Sequence, residues 1–387
     1  MTTHTTRVVV IGGGYAGVIA ANHLQQRPDV EIILVNPRPR FVERIRLHQL
    51  VTGSNDATVA YTEVLGPRVH LVVDTADRID AAARQVHLAD GGALPYDYLI
   101  YAVGSGAATP AVPSADEYGF PISELEQAQR LKAALAAAKP HDPICVVGGG
   151  PTGIETVAEL AEQGRATTLV CGTVLGPYLS GPARRSVARR LEKLGVEVIE
   201  GVPVTEVGAD TVTLADGRRL PSAVTIWTAG FGVPDLASRS GLRTDAIGRL
   251  LTDETLTSVD DPRIIAAGDA AAPSGEPLRM SCQAAIPLGA HAAKNVLSRL
   301  AGTPPAVINQ AFTGQCMSVG RGAGTVQIAR PDDTPLPLYI GGRAGALIKE
   351  AVCRATISFL RREARRPGSY FWFKGGKRPS SAVAVTR

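Results

Sequence analysis

The chain has few cysteines, and none of them is paired with another in a recognisable motif. Five cysteines are present among 387 residues, and no two are spaced as Cys-x-x-Cys or Cys-x-x-x-x-Cys. This spacing argues against a structural zinc site, a disulfide framework and a dithiol redox centre. A reducing cytosol is therefore the expected compartment, and no metal is expected. The cysteines are Cys145, Cys171, Cys282, Cys316 and Cys353.

The sequence also lacks the long apolar runs and the leader that would direct it into or across a membrane. No apolar run approaches the roughly 20 residues that span a bilayer. The polar segment from Met1 to Arg7 runs straight into an apolar strand, so no secretory signal is visible. With 45% hydrophobic and 20% charged residues, the composition is that of a folded soluble protein with room for two or three domains.

The overall charge of +4 conceals an uneven distribution. Residues 343–387 hold eleven Lys/Arg and two Asp/Glu, which gives +9, so residues 1–342 carry −5. The basic character therefore belongs to the tail. No nucleic-acid recognition motif accompanies it, so no nucleic-acid partner is expected.

What is present is a pair of glycine-rich fingerprints, each directly behind a short apolar strand. The first spans residues 12–17 after a strand at 8–11, and the second spans residues 148–153 after a strand at 144–147. One Gly-x-Gly-x-x-Gly sequence is a weak signal, but two in strand–loop–helix context predict two bound dinucleotides. Such a pair typically serves electron passage from a nicotinamide to a flavin.

Each glycine of a fingerprint has its own physical task. The first permits the tight turn out of the strand, the second lets the backbone approach a pyrophosphate, and the third lets the helix pack close to the sheet. The helix N-terminus then offers N–H groups and a partial positive charge to the phosphates. These glycines are Gly12, Gly14 and Gly17 in the first loop and Gly148, Gly150 and Gly153 in the second.

Other strand ends add polar and glycine residues to the predicted sites. An acidic residue about 20 positions after the first glycines would hold an adenosine ribose. The strand there ends instead in Asn36, whose amide can still bond a hydroxyl. A later apolar strand ends in a turn at Gly104, and the last buried strand delivers Asp269 at its carboxyl end.

This order of parts resembles the pyridine nucleotide–disulfide oxidoreductase superfamily over about residues 7–300. The segment 148–155, the missing dithiol and a C-terminal extension make the chain most similar to the type II NADH dehydrogenase-like branch, which includes apoptosis-inducing-factor-like NAD(P)H:quinone reductases. The resemblance implies an α/β fold with two Rossmann-like dinucleotide-binding domains, as in glutathione reductase. It implies an FAD-binding domain at 1–115 plus 236–305, an NAD(P)H-binding domain at 116–235 and a C-terminal domain at 306–387.

The resemblance also assigns cofactor-binding residues. The pair Gly268 and Asp269 would hold the ribityl and pyrophosphate side of FAD; alternatively, Asp269 only caps the next helix. The second cofactor, NADH or NADPH, is left open because its ribose strand ends at Cys171 without an acidic residue, and Arg184 and Arg185 follow only later; the family favours NADH. The residues expected to bind the cofactors are Gly12, Gly14, Tyr15, Ala16, Gly17, Asn36, Arg44, Gly104, Gly148, Gly150, Gly153, Gly268 and Asp269.

Glu155 and Gln283 are the predicted catalytic residues. In the resembling enzymes, the glutamate after the second loop lies near the nicotinamide and the flavin, where it could orient the nicotinamide or relay a proton. Alternatively, Glu155 only interacts with the helix dipole. Gln283 matches the quinone-site segment of type II NADH dehydrogenases, although Pro287 and Leu288 replace its paired glutamines. Glu159, one turn after Glu155, is expected on a solvated helix face.

The stretch 41–48 occupies the position at which dithiol reductases carry Cys-x-x-x-x-Cys, and it contains no sulfur. A disulfide-exchange mechanism is therefore not expected. Arg44, Arg46 and His48 could face the flavin and stabilise its anionic reduced form, or they could form a basic helix surface.

The tail combines an amphipathic helix with an aromatic cluster at 370–373. Six apolar residues recur at helical spacing, and basic residues follow them. Residues 345–378 could bind an anionic membrane surface, or the helix could pack on the body or build a homodimer. The apolar residues are Leu347, Ile348, Ala351, Val352, Ala355 and Phe359, and the basic ones are Arg361, Arg362, Arg365, Arg366, Lys374, Lys377 and Arg378.

Together these patterns predict an FAD-dependent NAD(P)H oxidoreductase that passes electrons to a small-molecule acceptor such as a quinone. Its expected location is the cytoplasm or the inner face of the membrane, as a peripheral protein. One alternative is a soluble FAD oxidoreductase acting on a small organic substrate, such as a secondary metabolite. A second alternative is a flavoprotein that binds NAD(P)H as a redox sensor.

Overall fold

Two five-stranded parallel sheets form the centre of the computed structural model, which describes residues 5–376 of the chain. The predicted α/β class is confirmed. In both sheets the central strands are buried apolar runs, as expected where helices cover the two faces of a parallel sheet.

The first part of the chain contributes four strands to the first sheet. Val10 pairs with Leu34 on one side and Ile100 on the other, all in parallel register. The elements are β1 (Thr6–Ile11), α1 (Tyr15–Leu24), β2 (Val30–Asn36), β3 (Arg40–Val42), α2 (Leu47–Thr52), β4 (Thr58–Ala60), α3 (Tyr61–Val64), β5 (Val69–Val73), β6 (Ala76–Asp80), β7 (Gln85–Leu88), β8 (Ala93–Pro95) and β9 (Tyr98–Tyr101). A 3₁₀ turn at Arg44–Arg46 precedes α2.

The middle of the chain builds the second sheet. Its elements are β10 (Gly106–Ala107), α4 (Ala115–Tyr118), β11 (Gly119–Pro121), α5 (Leu125–Ala137), β12 (Ile144–Val147), α6 (Pro151–Glu162), β13 (Thr167–Val170), α7 (Gly181–Lys193), β14 (Glu197–Ile199), β15 (Val204–Val207), β16 (Thr211–Leu214), β17 (Arg219–Pro221) and β18 (Val224–Trp227). The sheet order is β11-β18-β12-β13-β14, and β15–β17 form a separate antiparallel sheet.

The chain then returns to the first sheet. The elements are β19 (Phe231–Gly232), α8 (Leu236–Arg239), β20 (Leu250–Thr252), β21 (Ile264–Ala266), β22 (Ala271–Pro273) and α9 (Cys282–Leu300). β21 pairs with β9, which completes the order β21-β9-β1-β2-β5. β10 and β19 pair with each other at the two crossings between the sheets. The first sheet is therefore discontinuous in sequence, while the domain limits given above remain predictions.

The last elements are β23 (Gly314–Ser318), β24 (Gly324–Ala329), β25 (Pro335–Gly341) and α10 (Gly342–Arg365). The helix α10 packs on the body, but not through the apolar face identified from the sequence. Leu347 is 73% exposed and Phe359 39% exposed. The buried face runs through Gly345, Lys349, Cys353, Thr356, Ile357, Leu360, Glu363 and Ala364. The helix α10 therefore packs on the body through one face and exposes apolar side chains on another.

After α10 the chain turns back along the body. The buried carboxylate of Glu363 accepts hydrogen bonds from the backbone of Gly368 and Tyr370 and contacts His23 on α1 at 2.6 Å. Trp372 donates its indole N–H to Asn309 O at 2.9 Å. The predicted membrane-facing residues Lys377 and Arg378 lie outside the described residues. Within residues 5–376, no helix combines the length and the apolarity needed to cross a bilayer.

Candidate functional site

The first glycine loop joins β1 to α1 with a geometry that excludes side chains. Gly12 has φ +102°, and a Cβ there would lie 2.2 Å from Ala102 O. A Cβ on Gly17 would lie 1.8 Å from Gly12 O. Gly14 differs from both, because a Cβ there would meet no described atom within 4 Å. The loop is thus tight against the sheet and open above the start of α1.

The predicted residues Tyr15 and Ala16 begin α1 on the inner side of this loop. Tyr15 is buried with its ring edge-on to Phe41, and burial raises the pKa of its phenol. Ala16 lies where α1 meets the turn after β21, since a Cβ on Gly268 would be 2.9 Å from the Ala16 Cβ. The structure thus brings Gly268 next to the first loop, although the two are far apart in sequence.

Asp269 follows β21 and lies beside two other polar groups. Its Oδ2 accepts a hydrogen bond from Ser105 Oγ at 2.7 Å, and Arg44 Nη1 donates to the same Ser105 Oγ at 3.0 Å. Arg44 Nη1 is 3.8 Å from Asp269 Oδ2. The other carboxylate oxygen, Oδ1, is buried and has no hydrogen-bond partner within the described part of the chain. Gly104, with φ +72°, precedes Ser105 in the turn after β9.

Asn36 uses both of its polar atoms within the chain. Its Oδ1 accepts the backbone N–H of Gly13 at 2.9 Å, and its Nδ2 donates to Arg38 O at 2.8 Å. Tyr61 OH donates to Gly13 O at 2.8 Å. Asn36 therefore fixes the glycine loop, and its contact with a ribose remains a prediction.

The second glycine loop repeats the geometry of the first. Gly148 has φ +126°, and a Cβ there would lie 2.3 Å from Thr228 Oγ1. A Cβ on Gly153 would lie 1.9 Å from Gly148 O, whereas one on Gly150 would meet no described atom within 4 Å. Pro151 occupies the first turn of α6, where its missing N–H costs nothing.

Glu155, on the first turns of α6, is the meeting point of three parts of the chain. Its Oε1 accepts the backbone N–H of Ser318 at 2.9 Å and lies 3.0 Å from Lys349 Nζ on α10. Its Oε2 faces His48 Nδ1 on α2 at 3.6 Å. The side chains of Glu155, Lys349 and His48 are all buried. Burial alone would lower the pKa of Lys349, but the Glu155 carboxylate, together with Cys353 and Cys316, raises that pKa.

The expectation that Glu159 faces solvent is wrong. Glu159 is 2% exposed and lies 3.4 Å from His48 Nε2, and Thr52 Oγ1 donates to it at 2.7 Å. Burial alone would raise the pKa of Glu159, but His48, Thr52 and Arg321 together lower it to about 2. Glu159 lies one turn after Glu155 on the same helix. The elements α2 and β23 cover the face of α6 on which it lies.

The three basic residues near position 45 have different surroundings. Arg44 lies at the Asp269 site, as the flavin-facing alternative requires. Arg46 is buried and bonds the carboxylate of Glu350 through two nitrogens, at 3.2 and 3.0 Å. His48 is buried between Glu155 and Glu159. The alternative of a basic helix surface is therefore wrong for Arg46 and His48.

Lys349 was not identified from the sequence as a site residue. Three thiols lie in its electrostatic neighbourhood, namely Cys282, Cys316 and Cys353. Burial raises the pKa of each thiol, for Cys282 to about 11, although the Lys349 charge opposes the shift. The thiols are therefore protonated at neutral pH. The sequence pattern does not mark Lys349, because this lysine lies outside the apolar face predicted for the helix and on the face that the body buries.

Gln283, the other predicted catalytic residue, lies on the first turn of α9. Its Nε2 donates to Thr313 Oγ1 at 2.6 Å, and its Oε1 is buried without a partner among the described residues. Its role stays a prediction. Pro287 lies inside α9 without ending it.

The residues present fit two dinucleotides. Each loop has an open second glycine at a helix N-terminus that carries no side-chain cap, which is the arrangement that binds a pyrophosphate. At the first loop, the unpartnered Asp269 Oδ1 can accept a hydrogen bond from a ligand hydroxyl.

Comparison with known proteins supports the same interpretation. The family model described as pyridine nucleotide-disulphide oxidoreductase matches residues 6–292. An NADH dehydrogenase-like protein of Mycobacterium tuberculosis is 32% identical over 329 residues, covering 77% of this chain and 82% of the relative. A type II NADH:quinone oxidoreductase of the same organism is 31% identical, covering 78% and 74%. One from Staphylococcus saprophyticus is 27% identical, covering 89% and 94%.

Two solved structures share the fold along nearly the whole chain. The sulfide:quinone oxidoreductase of Aquifex aeolicus has a TM-score of 0.80 at 20% identity and covers 92% of each chain. NDH2 of Plasmodium falciparum, solved in complex with NADH, has a TM-score of 0.78 at 15% identity, covering 94% of this chain and 99% of the other. At these identities the likeness concerns the fold.

Proposed function

The chain belongs to the pyridine nucleotide-disulphide oxidoreductase family, and from this premise we propose that it is a type II NADH:quinone oxidoreductase that uses FAD. Membership confirms the resemblance inferred from the sequence. The observation that carries the proposal is the convergence on Glu155 of His48 from the first unit and Lys349 from the C-terminal helix. Two relatives that this chain covers to 74% and 94% of their own length are named as type II NADH:quinone oxidoreductases.

Bound FAD would supply the redox chemistry by taking a hydride from NADH and passing two electrons to a quinone. The chain would hold its pyrophosphate at Gly12–Gly17 and would accept a hydroxyl at Asp269 Oδ1. Arg44 brings a cation to the same site, where it favours negative charge. The loop at Gly148–Gly153 would hold the nicotinamide dinucleotide.

Glu155 is proposed to hold or transfer a proton at Oε2. Its Oε1 is bonded by the Ser318 N–H and Lys349 Nζ, which fix the orientation of the carboxylate. Oε2 faces His48 Nδ1 at 3.6 Å, and an imidazole nitrogen can either donate or accept a proton. Quinol formation takes up two electrons and two protons; the hydride of NADH brings both electrons and one hydrogen, and the buried acid–base pair would supply the remaining proton.

The outward face of α10 is proposed to bind an anionic membrane and so to reach a lipid-soluble quinone. Leu347, Val352 and Phe359 are exposed there, and Phe371 and Phe373 are about two-thirds exposed on the segment that follows. Arg362, Arg365, Arg366 and Lys374 lie among them. Apolar and basic groups on one surface are typical of peripheral membrane proteins.

Anaerobic reduction tests the proposed activity. Purified FAD-loaded protein is mixed with NADH, and the absorbance of the oxidised flavin is followed. We expect rapid bleaching and recovery on addition of a soluble quinone. Glu155→Gln should slow the quinone-dependent recovery more than it slows the bleaching by NADH, because the glutamine has no carboxylate to hold or transfer a proton. A flavin that NADH cannot bleach would contradict the proposal.

Vesicle sedimentation tests the membrane surface. The wild type should sediment with vesicles containing anionic phosphatidylglycerol, and less so in high salt. Leu347→Glu with Phe371→Glu should abolish sedimentation and keep NADH-dependent dye reduction. Tyr178→Glu, at an aromatic residue of the second unit that is 56% exposed, is the matched control. If instead Leu347→Glu converts a lipid-free dimer into a monomer, the face is a dimer interface.

A further inference from the structure

The ribose end of the second dinucleotide site lacks its usual acidic residue on β13. The strand is followed by Cys171 and Gly172, so no carboxylate stands where one ordinarily bonds the adenosine ribose. Cys171 lies directly against the glycine loop, because a Cβ on Gly149 would be 2.9 Å from the Cys171 Cβ and Sγ. Cys171 therefore occupies the position from which a ribose is usually recognised, but its side chain is not a carboxylate.

A carboxylate from the neighbouring strand stands beside this position. β13 and β14 run parallel with Val170 opposite Ile199, and the Cys171 N–H donates to Ile199 O at 2.8 Å. Glu200 is therefore the neighbour of Cys171 in the next strand. Its Oε1 accepts the backbone N–H of Leu175 at 2.5 Å, which holds the carboxylate at the loop that follows β13. After burial, Glu200 is also the charge that raises the pKa of Cys171, consistent with their proximity.

An open groove of about 430 Å³ leads away from Glu200 between α7 and β14. Its apolar lining is formed by Leu175, Ala188, Val196 and Val198, and its charged residues are Arg185, Arg189, Glu192 and Glu200. The apolar part of this lining suits an aromatic base. The two arginines lie on α7, whereas the Glu200 carboxylate is bonded to the loop that follows β13. A phosphate bound at that loop would therefore lie next to the negative charge of Glu200.

We infer that Glu200 recognises the adenosine ribose of the nicotinamide dinucleotide and makes this chain selective for NADH over NADPH. The inference rests on the proposed function, since it concerns the dinucleotide of the second loop. A carboxylate can accept hydrogen bonds from the 2′- and 3′-hydroxyls together. It repels the 2′-phosphate that distinguishes NADPH, so one group supplies both attraction and exclusion.

Calorimetric titration of the full-length FAD-loaded protein with NAD⁺ and NADP⁺ tests this directly. The wild type should bind NAD⁺ at least about tenfold more tightly, and Glu200→Gln should reduce that preference by about tenfold. The glutamine keeps an oxygen for the Leu175 N–H, so the loop should stay in place and the change should report the charge. Glu206→Gln, which removes an exposed carboxylate of β15 outside the groove, should leave the preference within about twofold of the wild type.

If the protein binds a nucleotide, two results would overturn the inference. One is a wild type that prefers NADP⁺, with the preference lost in Arg185→Ala, because the arginines would then read a 2′-phosphate. The other is an unchanged preference in Glu200→Gln. Flavin bleaching by NADH, measured on the same samples, tests the proposed function separately. Selective binding without bleaching would contradict the proposed enzyme activity and support the role of Glu200. Failure to bind either nucleotide would contradict both the proposed activity and the role of Glu200.

Discussion

Replacing Lys349 by methionine should cost this protein a large part of its stability. Lys349 Nζ lies 3.0 Å from Glu155 Oε1, and both side chains are buried. At an effective dielectric constant of about 20, two unit charges at this distance attract by about 5–6 kcal/mol. Desolvation of the ammonium opposes part of this gain, and breaking a buried pair from one side typically costs about 3–5 kcal/mol. We therefore expect Lys349→Met to lose about 3–5 kcal/mol in the free energy of unfolding.

The cost should arise from the charge left on Glu155 rather than from lost packing, and a double-mutant cycle separates the two causes. Urea denaturation followed by circular dichroism is compared for Lys349→Met, Glu155→Gln and the double variant. The double variant should recover most of the loss, because no uncompensated charge remains. Lys132→Met, at an exposed lysine of α5, should change the free energy of unfolding by less than about 0.5 kcal/mol. A loss below about 1 kcal/mol in Lys349→Met, or strictly additive single effects, would refute the reasoning.

Three further outcomes follow from contacts already described. Gly17→Ala should prevent stable folding because its Cβ would strike Gly12 O, whereas Gly14→Ala should fold normally and retain less FAD, measured as flavin content per chain. Burial lowers the pKa of His291 to about 4 from an ordinary 6.5. The free energy of unfolding should therefore be highest above about pH 6.5 and should fall by about 3 kcal/mol towards pH 4. His291→Asn should show a smaller fall over this pH range, and a fall equal to that of the wild type would contradict the prediction. The lowered pKa of Glu159, about 2 against an ordinary 4.5, contributes stability that is present above about pH 4.5 and is lost as the pH falls towards 2. Glu159→Gln should lack that acid-dependent loss in denaturation measured between pH 5 and pH 2, and a retained loss would assign it to other groups.

The glycine loops could be predicted from sequence because their requirements are local. Gly12 and Gly17 are excluded from carrying a Cβ by atoms within the same strand–loop–helix unit or the adjacent strand. The pattern of strands and glycines therefore predicts both the fold class and the two nucleotide sites. The position of Asp269 could be predicted in the same way, since it follows a strand whose apolar residues mark that strand as buried.

The buried charges could not be predicted, because their partners are distant in sequence. Glu159 has the local pattern of a surface residue, and only the arrival of α2 with His48 and Thr52 makes it a buried one. Lys349 would be taken for a solvated lysine without the contact with Glu155. For α10, helical periodicity correctly grouped Leu347 with Phe359, but periodicity does not say which face of a helix meets the body.

The place of β21 in the first sheet has a consequence for how the chain is made. β9 ends at Tyr101, and its partner β21 begins at Ile264, so β9 lacks a neighbour on one side until most of the chain has left the ribosome. The strands of the second sheet all lie between residues 119 and 227, and that unit can fold first. At about 5–20 residues per second, the nascent first unit waits on the order of ten seconds with an unpaired apolar edge. Slowing synthesis between these strands, or removing chaperones during it, should therefore lower the yield of flavin-loaded protein more than the yield of folded second unit.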